Sequence, residues 1–116
     1  MTRPVVFFEI RGRDGERLKE FYASLFGWKI DSNNPMNFGM VEPGIGGPEE
    51  GVGGGISQGD TPLVTIYVQV VDLNETLAKA EEMGGKAVMQ PMDTPDGPTI
   101  AVFEDPEGNT MGLVKQ

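Results

Sequence analysis

Val6, Phe8 and Ile10 alternate with Phe7, Glu9 and Arg11 near the start of the chain, and past its middle Val64, Ile66, Val68 and Val70 alternate with Thr65, Tyr67 and Gln69. A period of two places each apolar set on one face of a strand, and residues 4–11 and 63–71 are rich in the β-branched and aromatic types that suit a pleated surface. After each run the apolar period lengthens to that of a helix. The first helix is predicted to start at Asp14, a good N-cap, with Glu16 in its first turn and Leu18, Phe21, Tyr22 and Leu25 on one face, and to stop at Gly27. The second starts at Asp72 with Glu75 three residues later, a capping-box spacing, carries Leu73, Leu77, Ala80 and Met83, and ends at Gly84-Gly85. Three short strands separated by Gly, Pro, Asn and Asp follow each helix, at 28–31, 37–42 and 52–57, then at 86–90, 99–104 and 110–115.

Each half therefore reads βαβββ, and the chain repeats itself with a period of half its length. A shift of 58 positions pairs Val6 with Val64, Asp14 with Asp72, Gly27 with Gly85, Gly39 with Gly97, Pro48 with Pro106, Glu49 with Glu107, Gly54 with Gly112 and Gln58 with Gln116. The order of elements is better evidence than these identities, which a Gly-rich composition favours. The expectation is one α+β domain made of two modules, 1–58 and 59–116. Pro- and Gly-rich stretches at 43–51 and 90–98 read as surface loops or as paired lids. Residues 105–109 read as a tight turn in which Gly108 and Asn109 supply positive φ.

Composition narrows the chemistry. A chain of 116 residues with 38 % hydrophobic residues has room for one core. Nine Lys and Arg against eighteen Asp and Glu give a net charge of −9, which argues against nucleic acid and anionic membrane as partners. There is no Cys and no His, so thiolate nucleophiles, imidazole bases and the commonest metal ligands are absent. What remains is carboxylates, hydroxyls, Lys, Arg or a bound cofactor. The apolar run within residues 1–12 is broken by Glu9 and Arg11, unlike a signal peptide or membrane span, and a cytoplasmic location is expected.

The chain resembles the vicinal-oxygen-chelate superfamily, which takes in glyoxalase I, extradiol dioxygenases and bleomycin-resistance proteins. The resemblance is carried by Phe8-Glu9-Ile10, the spacing from Asp14 to Phe21-Tyr22, Leu25-Phe26-Gly27-Trp28, Val71-Asp72, Gly84-Gly85, and the ending Phe103-Glu104-Asp105-Pro106-Glu107-Gly108-Asn109 with Gly112-Leu113. It implies two βαβββ modules whose curved mixed sheet surrounds a cup, helices outside and ligand inside, and a homodimer. Strand alternation then turns Phe7, Glu9 and Arg11, and Thr65, Tyr67 and Gln69, toward the cup. In metal-dependent members of the superfamily four side chains related by the repeat hold the cation. Those positions fall on Phe7, Gly54, Thr65 and Gly112, which offer a ring, a neutral hydroxyl and twice no side chain, so no metal and no other cofactor are expected. Displaced carboxylates, Glu9 with Glu42 or Glu104, would suit Mg or Mn better than Zn or Fe.

Glu9 is the leading candidate for chemistry, as a general base or acid, or else as a carboxylate paired with Arg11 or Tyr67. Arg11 suits a ligand carboxylate or phosphate, or stands as a strand-end charge in solvent. Tyr67 suits donation of a hydrogen bond to a substrate oxygen, or simply lines the wall. Trp28 is either a packing residue or an aromatic wall, which Phe38 and Met40 would share. Gly51, Gly53, Gly54 and Gly55 fit no phosphate-loop pattern and suggest close backbone approach in a strand. The resulting expectation is a protein that binds a small, partly aromatic or apolar organic molecule without a metal. Its rivals are a metal-independent isomerase or lyase using Glu9, and a dimeric interaction protein with no ligand.

Overall fold

The computed structural model describes residues 2–42 and 51–115. The stretch read as a first lid, 43–51, lies outside the described residues except for Gly51. The element order is β1 (Val5–Gly12), α1 (Gly15–Phe26), β2 (Ile30–Asp31), β3 (Gly39–Val41), β4 (Gly54–Gln58), β5 (Leu63–Val70), α2 (Leu73–Glu82), β6 (Lys86–Asp93), β7 (Thr99–Glu104) and β8 (Thr110–Lys115). This is an α+β chain whose two successive β-α-β-β-β sets match the predicted order.

The chain divides into two compact units, Phe7–Val64 and Met1–Val6 with Thr65–Gln116. In the first, β1 pairs in parallel with β4, β4 antiparallel with β3, and β3 antiparallel with β2. In the second, β5 pairs in parallel with β8, β8 antiparallel with β7, and β7 antiparallel with β6. The same topology thus recurs, each helix serving as the crossover that a parallel strand pair requires.

Both helices start where the sequence places them. The Asp14 carboxylate accepts from the Arg17 backbone N–H at 3.1 Å, and the Asp72 carboxylate from that of Glu75 at 3.0 Å. Each satisfies a helix-end donor that would otherwise lack a partner. Gly27 adopts the left-handed conformation, φ 72°, and donates to the Ala23 carbonyl, closing α1.

The apolar stripe of α1 is only partly the buried one. Leu18 and Tyr22 are half-buried, but Phe21 is 55 % and Leu25 60 % exposed. Gly15 and Lys19, four residues apart, form the innermost line. The hydrophobic period marks a broad arc of a helix, and packing selects which line within it is covered.

In the second unit Val70, Leu73, Leu77, Ala101 and Leu113 form the core, with Val68, Ala87 and Phe103 against it. Alternation puts Val64 and Ile66 on one face of β5 with Val68 and Val70. The first two are 72 % and 38 % exposed, because the cluster gathers at the end of β5 that leads into α2. Residues 90–98 are not wholly a loop, since β6 continues through Pro91 to Asp93 and pairs Met92 with Ile100 and Asp93 with Thr99. Proline is tolerated there because β6 ends its unit's strand order and the register shifts between Met89 and Met92. In the 105–109 turn Gly108 has φ 89°, while Asn109 is not in the left-handed region. Asn109 serves instead by donating its backbone N–H and side-chain amide to the Asp105 carboxylate, both at 2.9 Å.

Candidate functional site

The two faces of β1 differ as alternation requires. Phe8 turns toward α1 and meets Trp28 at a ring-centroid distance of 5.5 Å. Trp28 in turn stacks on Tyr22 at 5.4 Å and 14°, and lies 5.3 Å from Phe26. Trp28 is therefore part of an aromatic cluster on the helix side of the sheet.

The opposite face carries Phe7 and Glu9. Phe7 lies 6.2 Å from Phe38 with the rings 21° from parallel. Phe38 covers Gly55, where a β-carbon would enter its ring, so the glycine there answers the close approach anticipated for this run. Met40 pairs with Gly55 in the β3–β4 register and is exposed on the same face. Phe38 and Met40 thus share a wall with Phe7 rather than with Trp28. The Ser57 hydroxyl donates to Glu9 Oε2 at 2.6 Å, a short bond of the charge-assisted kind. Arg11 donates from Nε to the Thr61 carbonyl at 3.1 Å and Arg13 to that of Asp60 at 2.8 Å, which anchors the end of β1 to the turn after β4.

Gly54, which the resemblance groups with Phe7 as a ligand position, stands on the other face. It pairs with Phe8, and a β-carbon on it would enter the Phe8 ring. The residue that faces the Phe7 side is Gly55, beside Glu9. Counting a repeat along the chain does not fix pairing register, and a slip of one residue exchanges the faces of a strand. In the second unit Gly112 pairs with Tyr67, away from α2, since Val68 and Leu113 pack toward the helix. Tyr67 and Thr65 are buried, and the Thr65 hydroxyl donates to the Thr110 carbonyl at 2.8 Å. Gln69 is half-buried and donates its backbone N–H to the Pro4 carbonyl at 2.9 Å.

A polar cluster absent from the sequence reading joins α1 to β3. The Lys19 ammonium donates to Glu16 Oε2 at 2.9 Å and to the Asn37 carbonyl at 2.7 Å, and the Asn37 amide donates to the same Glu16 oxygen at 3.0 Å. The Lys19 and Asn37 hydrogen bonds and the ammonium charge hold the Glu16 carboxyl below its ordinary value of 4.5. A cavity of about 220 Å³ opens beside this cluster, reaching Phe38, Ser57 and Gln58. Nothing in residue type marked Ser57 or Lys19 beforehand. Ser57 follows from Glu9 only once the β1–β4 register is known.

Residues 5–113 match the Glyoxalase/Bleomycin resistance protein/Dioxygenase superfamily. The chain belongs to this superfamily. A glyoxylase-like domain-containing protein of Didymella fabae is 31 % identical over 112 residues, covering 90 % of this chain and 88 % of that protein. CFP32 of Mycobacterium tuberculosis, provisionally named a glyoxylase, is 29 % identical over 111 residues, and the chain spans only 42 % of its length. Among solved structures, a superfamily member from Vibrio splendidus 12B01 superposes with a TM-score of 0.64 at 17 % identity, over 99 % of this chain and all of that one. The Mn(II)-bound glyoxalase of Novosphingobium aromaticivorans gives 0.61 at 20 % identity, over 97 % of this chain and 38 % of that one.

The four positions to which the resemblance assigns a cation's ligands, Phe7, Gly54, Thr65 and Gly112, offer no donor set for one. Phe7 and Thr65 offer no anionic donor, and neither Gly54 nor its neighbour Gly55 nor Gly112 has a side chain. Among the described residues no three carboxylates gather in a way that could hold a metal ion, and Glu9 has a neutral hydroxyl, that of Ser57, beside it. Divalent cations need several anionic or well-placed oxygen donors. Among the described residues no helix is long and apolar enough to cross a membrane.

Proposed function

We propose that this superfamily member binds a small, partly aromatic or apolar organic molecule without a metal ion, on the sheet face that carries Phe7, Glu9 and Phe38. The observation that carries the reading is the pair of near-parallel Phe7 and Phe38 rings on the same face as the Glu9–Ser57 hydrogen bond. Ligand sites combine apolar walls with a few polar groups that fix orientation. The rings and Met40 supply the wall. Glu9, held by Ser57, supplies an acceptor for a ligand N–H or O–H. Arg11 is tied to the Thr61 carbonyl and Trp28 belongs to the helix-side cluster, so neither is given a part in this site. A homodimer is part of the same reading, supported by exposed Val88 and Met92 on the edge strand β6.

Native mass spectrometry of the purified protein, followed by thermal shift with Zn, Ni, Mn, Mg and Fe and with a panel of planar organic compounds, tests this. A compound that co-purifies or raises Tm, lost on Phe38→Ala, with no response to the metals, is the expected result. Stoichiometric retention of a metal overturns it. The same spectra report the monomer-to-dimer ratio.

A second reading is favoured by the 2.6 Å Ser57–Glu9 bond, which orients one carboxylate oxygen as a general base would need. In it the protein is a metal-independent isomerase or lyase in which Glu9 takes a proton beside a carbonyl. Turnover of a bound carbonyl compound that disappears in Glu9→Gln while binding persists selects this reading over simple binding.

A further inference from the structure

A second surface feature lies on the helix side of the first unit, away from Phe7 and Glu9. The end of β1 and the first two turns of α1 enclose a groove of about 290 Å³. Leu18, Phe21 and Tyr22 form its apolar part, and Arg13 and Arg17 stand at it. Phe21 is more than half exposed although it belongs to the apolar stripe of α1. Exposed apolar surface combined with fixed charge is characteristic of binding sites rather than of ordinary solvated helix faces.

The charge at this groove runs against that of the chain. Net charge is −9, yet four of the nine cations, Arg11, Arg13, Arg17 and Lys19, fall between residues 11 and 19. Lys19 is committed to Glu16, and Arg11 to the Thr61 carbonyl. Arg13 uses Nε on the Asp60 carbonyl, which fixes the direction of its guanidinium and leaves the terminal nitrogens for another acceptor. Among the described residues neither Arg13 nor Arg17 has an ion-pair partner. Among the described residues the one acid lining the groove, Asp14, has its carboxylate on the Arg17 backbone N–H as the helix cap.

We infer that this groove binds a small organic anion, a carboxylate or phosphate carried on an apolar or aromatic body. The body covers Leu18, Phe21 and Tyr22, and the anion takes the Arg13 and Arg17 guanidiniums, which bind such groups in bidentate fashion. The groove is too small for a folded partner and matches a ligand of drug-fragment size. Tyr22 connects it to an optical reporter, because its ring is stacked on Trp28, the one tryptophan of the chain.

The test is titration of the intact protein with 4-phenylbutyrate and with its neutral amide, read by Trp28 fluorescence and by backbone amide chemical shifts. The carboxylate is expected to shift the amides of Gly12, Arg13, Leu18, Phe21 and Tyr22, to change Trp28 emission, and to bind about tenfold more tightly than the amide. The double variant Arg13→Gln/Arg17→Gln brings the carboxylate to the amide's affinity, and Phe21→Ser weakens both ligands. Equal binding of carboxylate and amide overturns the inference, as does affinity unchanged in the double variant or shifts mapping to Phe7, Glu9 and Phe38. Inorganic phosphate binding as well as the organic anion shows an ion site with no apolar subsite and also overturns it. Self-association that is abolished by Phe21→Ser, with no ligand response, assigns the groove to a second copy of the chain and overturns it equally.

Discussion

Replacing Lys19 with Met isolates what a buried ammonium contributes to this fold. Lys19 is 8 % exposed although it lies on a surface helix. Its stem lies close to Gly39, where a β-carbon would come within 3.0 Å of Lys19 Cε. Met keeps most of that stem and removes the charge. Two hydrogen bonds are lost, one to Glu16 and one to the Asn37 carbonyl. The Glu16 side chain is 73 % exposed, so water replaces the ammonium there and that arm contributes little. The Asn37 bond, part-buried and 2.7 Å long, is a hydrogen bond to a charged donor, worth about 1.5–3 kcal/mol. Relief of the desolvation of the ammonium offsets part of this, leaving a destabilisation of about 1–2 kcal/mol. In a domain of this size that lowers Tm by roughly 4–8 °C.

Urea and thermal unfolding of both proteins at pH 7 measure the loss directly. The pH dependence supplies a second readout. Glu16 has a folded pKa held below 4.5, first by its hydrogen bond from Lys19. The unfolded chain therefore takes up the proton first as pH falls. The contribution of Glu16 is complete above the unfolded value and disappears as pH drops through the folded one. Lys19→Met flattens that part of the acid limb. A variant as stable as the parent, or one with an unchanged acid limb, refutes the assignment of stability to the ammonium.

Gly55→Ala forces Phe38 off its position on the sheet, costs about 1–3 kcal/mol by overpacking and weakens ligand binding on the Phe7 face, measured by unfolding and by thermal shift with the identified compound. Asp72→Ala removes the cap of α2 and lowers stability by about 1 kcal/mol, with helical circular dichroism retained. Asp105 is held below its ordinary 3.8, chiefly by the Asn109 side chain and then its backbone. Its contribution is thus complete above 3.8 and is lost as pH falls through the lower folded value. Asn109→Ala should raise the Asp105 pKa toward 3.8, which carboxyl carbon shifts in an NMR pH titration detect.

Much of the fold was legible because its signals are local. Alternation at Val6, Phe8 and Ile10, the caps Asp14 and Asp72 and the stops at Gly27 and Gly84 each depend on a few neighbouring residues, and the two βαβββ sets follow from their order. The separation of Phe7, Glu9 and Arg11 from Phe8 was legible for the same reason, since alternation is a property of one strand. Relations between strands were not. Gly54 and Gly55 are adjacent and identical in type, and only the register with Phe8 and Glu9 decides which of them faces the candidate site. That register also brings Ser57 to Glu9, 48 residues earlier in the chain. Trp28 reads equally as wall or core until Tyr22 and Phe8 are seen around it. Lys19 shows the limit most clearly. Residue type places a lysine in water, whereas the Asn37 carbonyl and Glu16 make burial of its ammonium affordable in this one position. Local periodicity and capping are encoded within a turn or two of chain, so the sequence alone determined the elements, their caps and the alternation within each strand. Pairing register and the partners of a buried charge are set by contacts between distant segments, so the tertiary structure alone decided them.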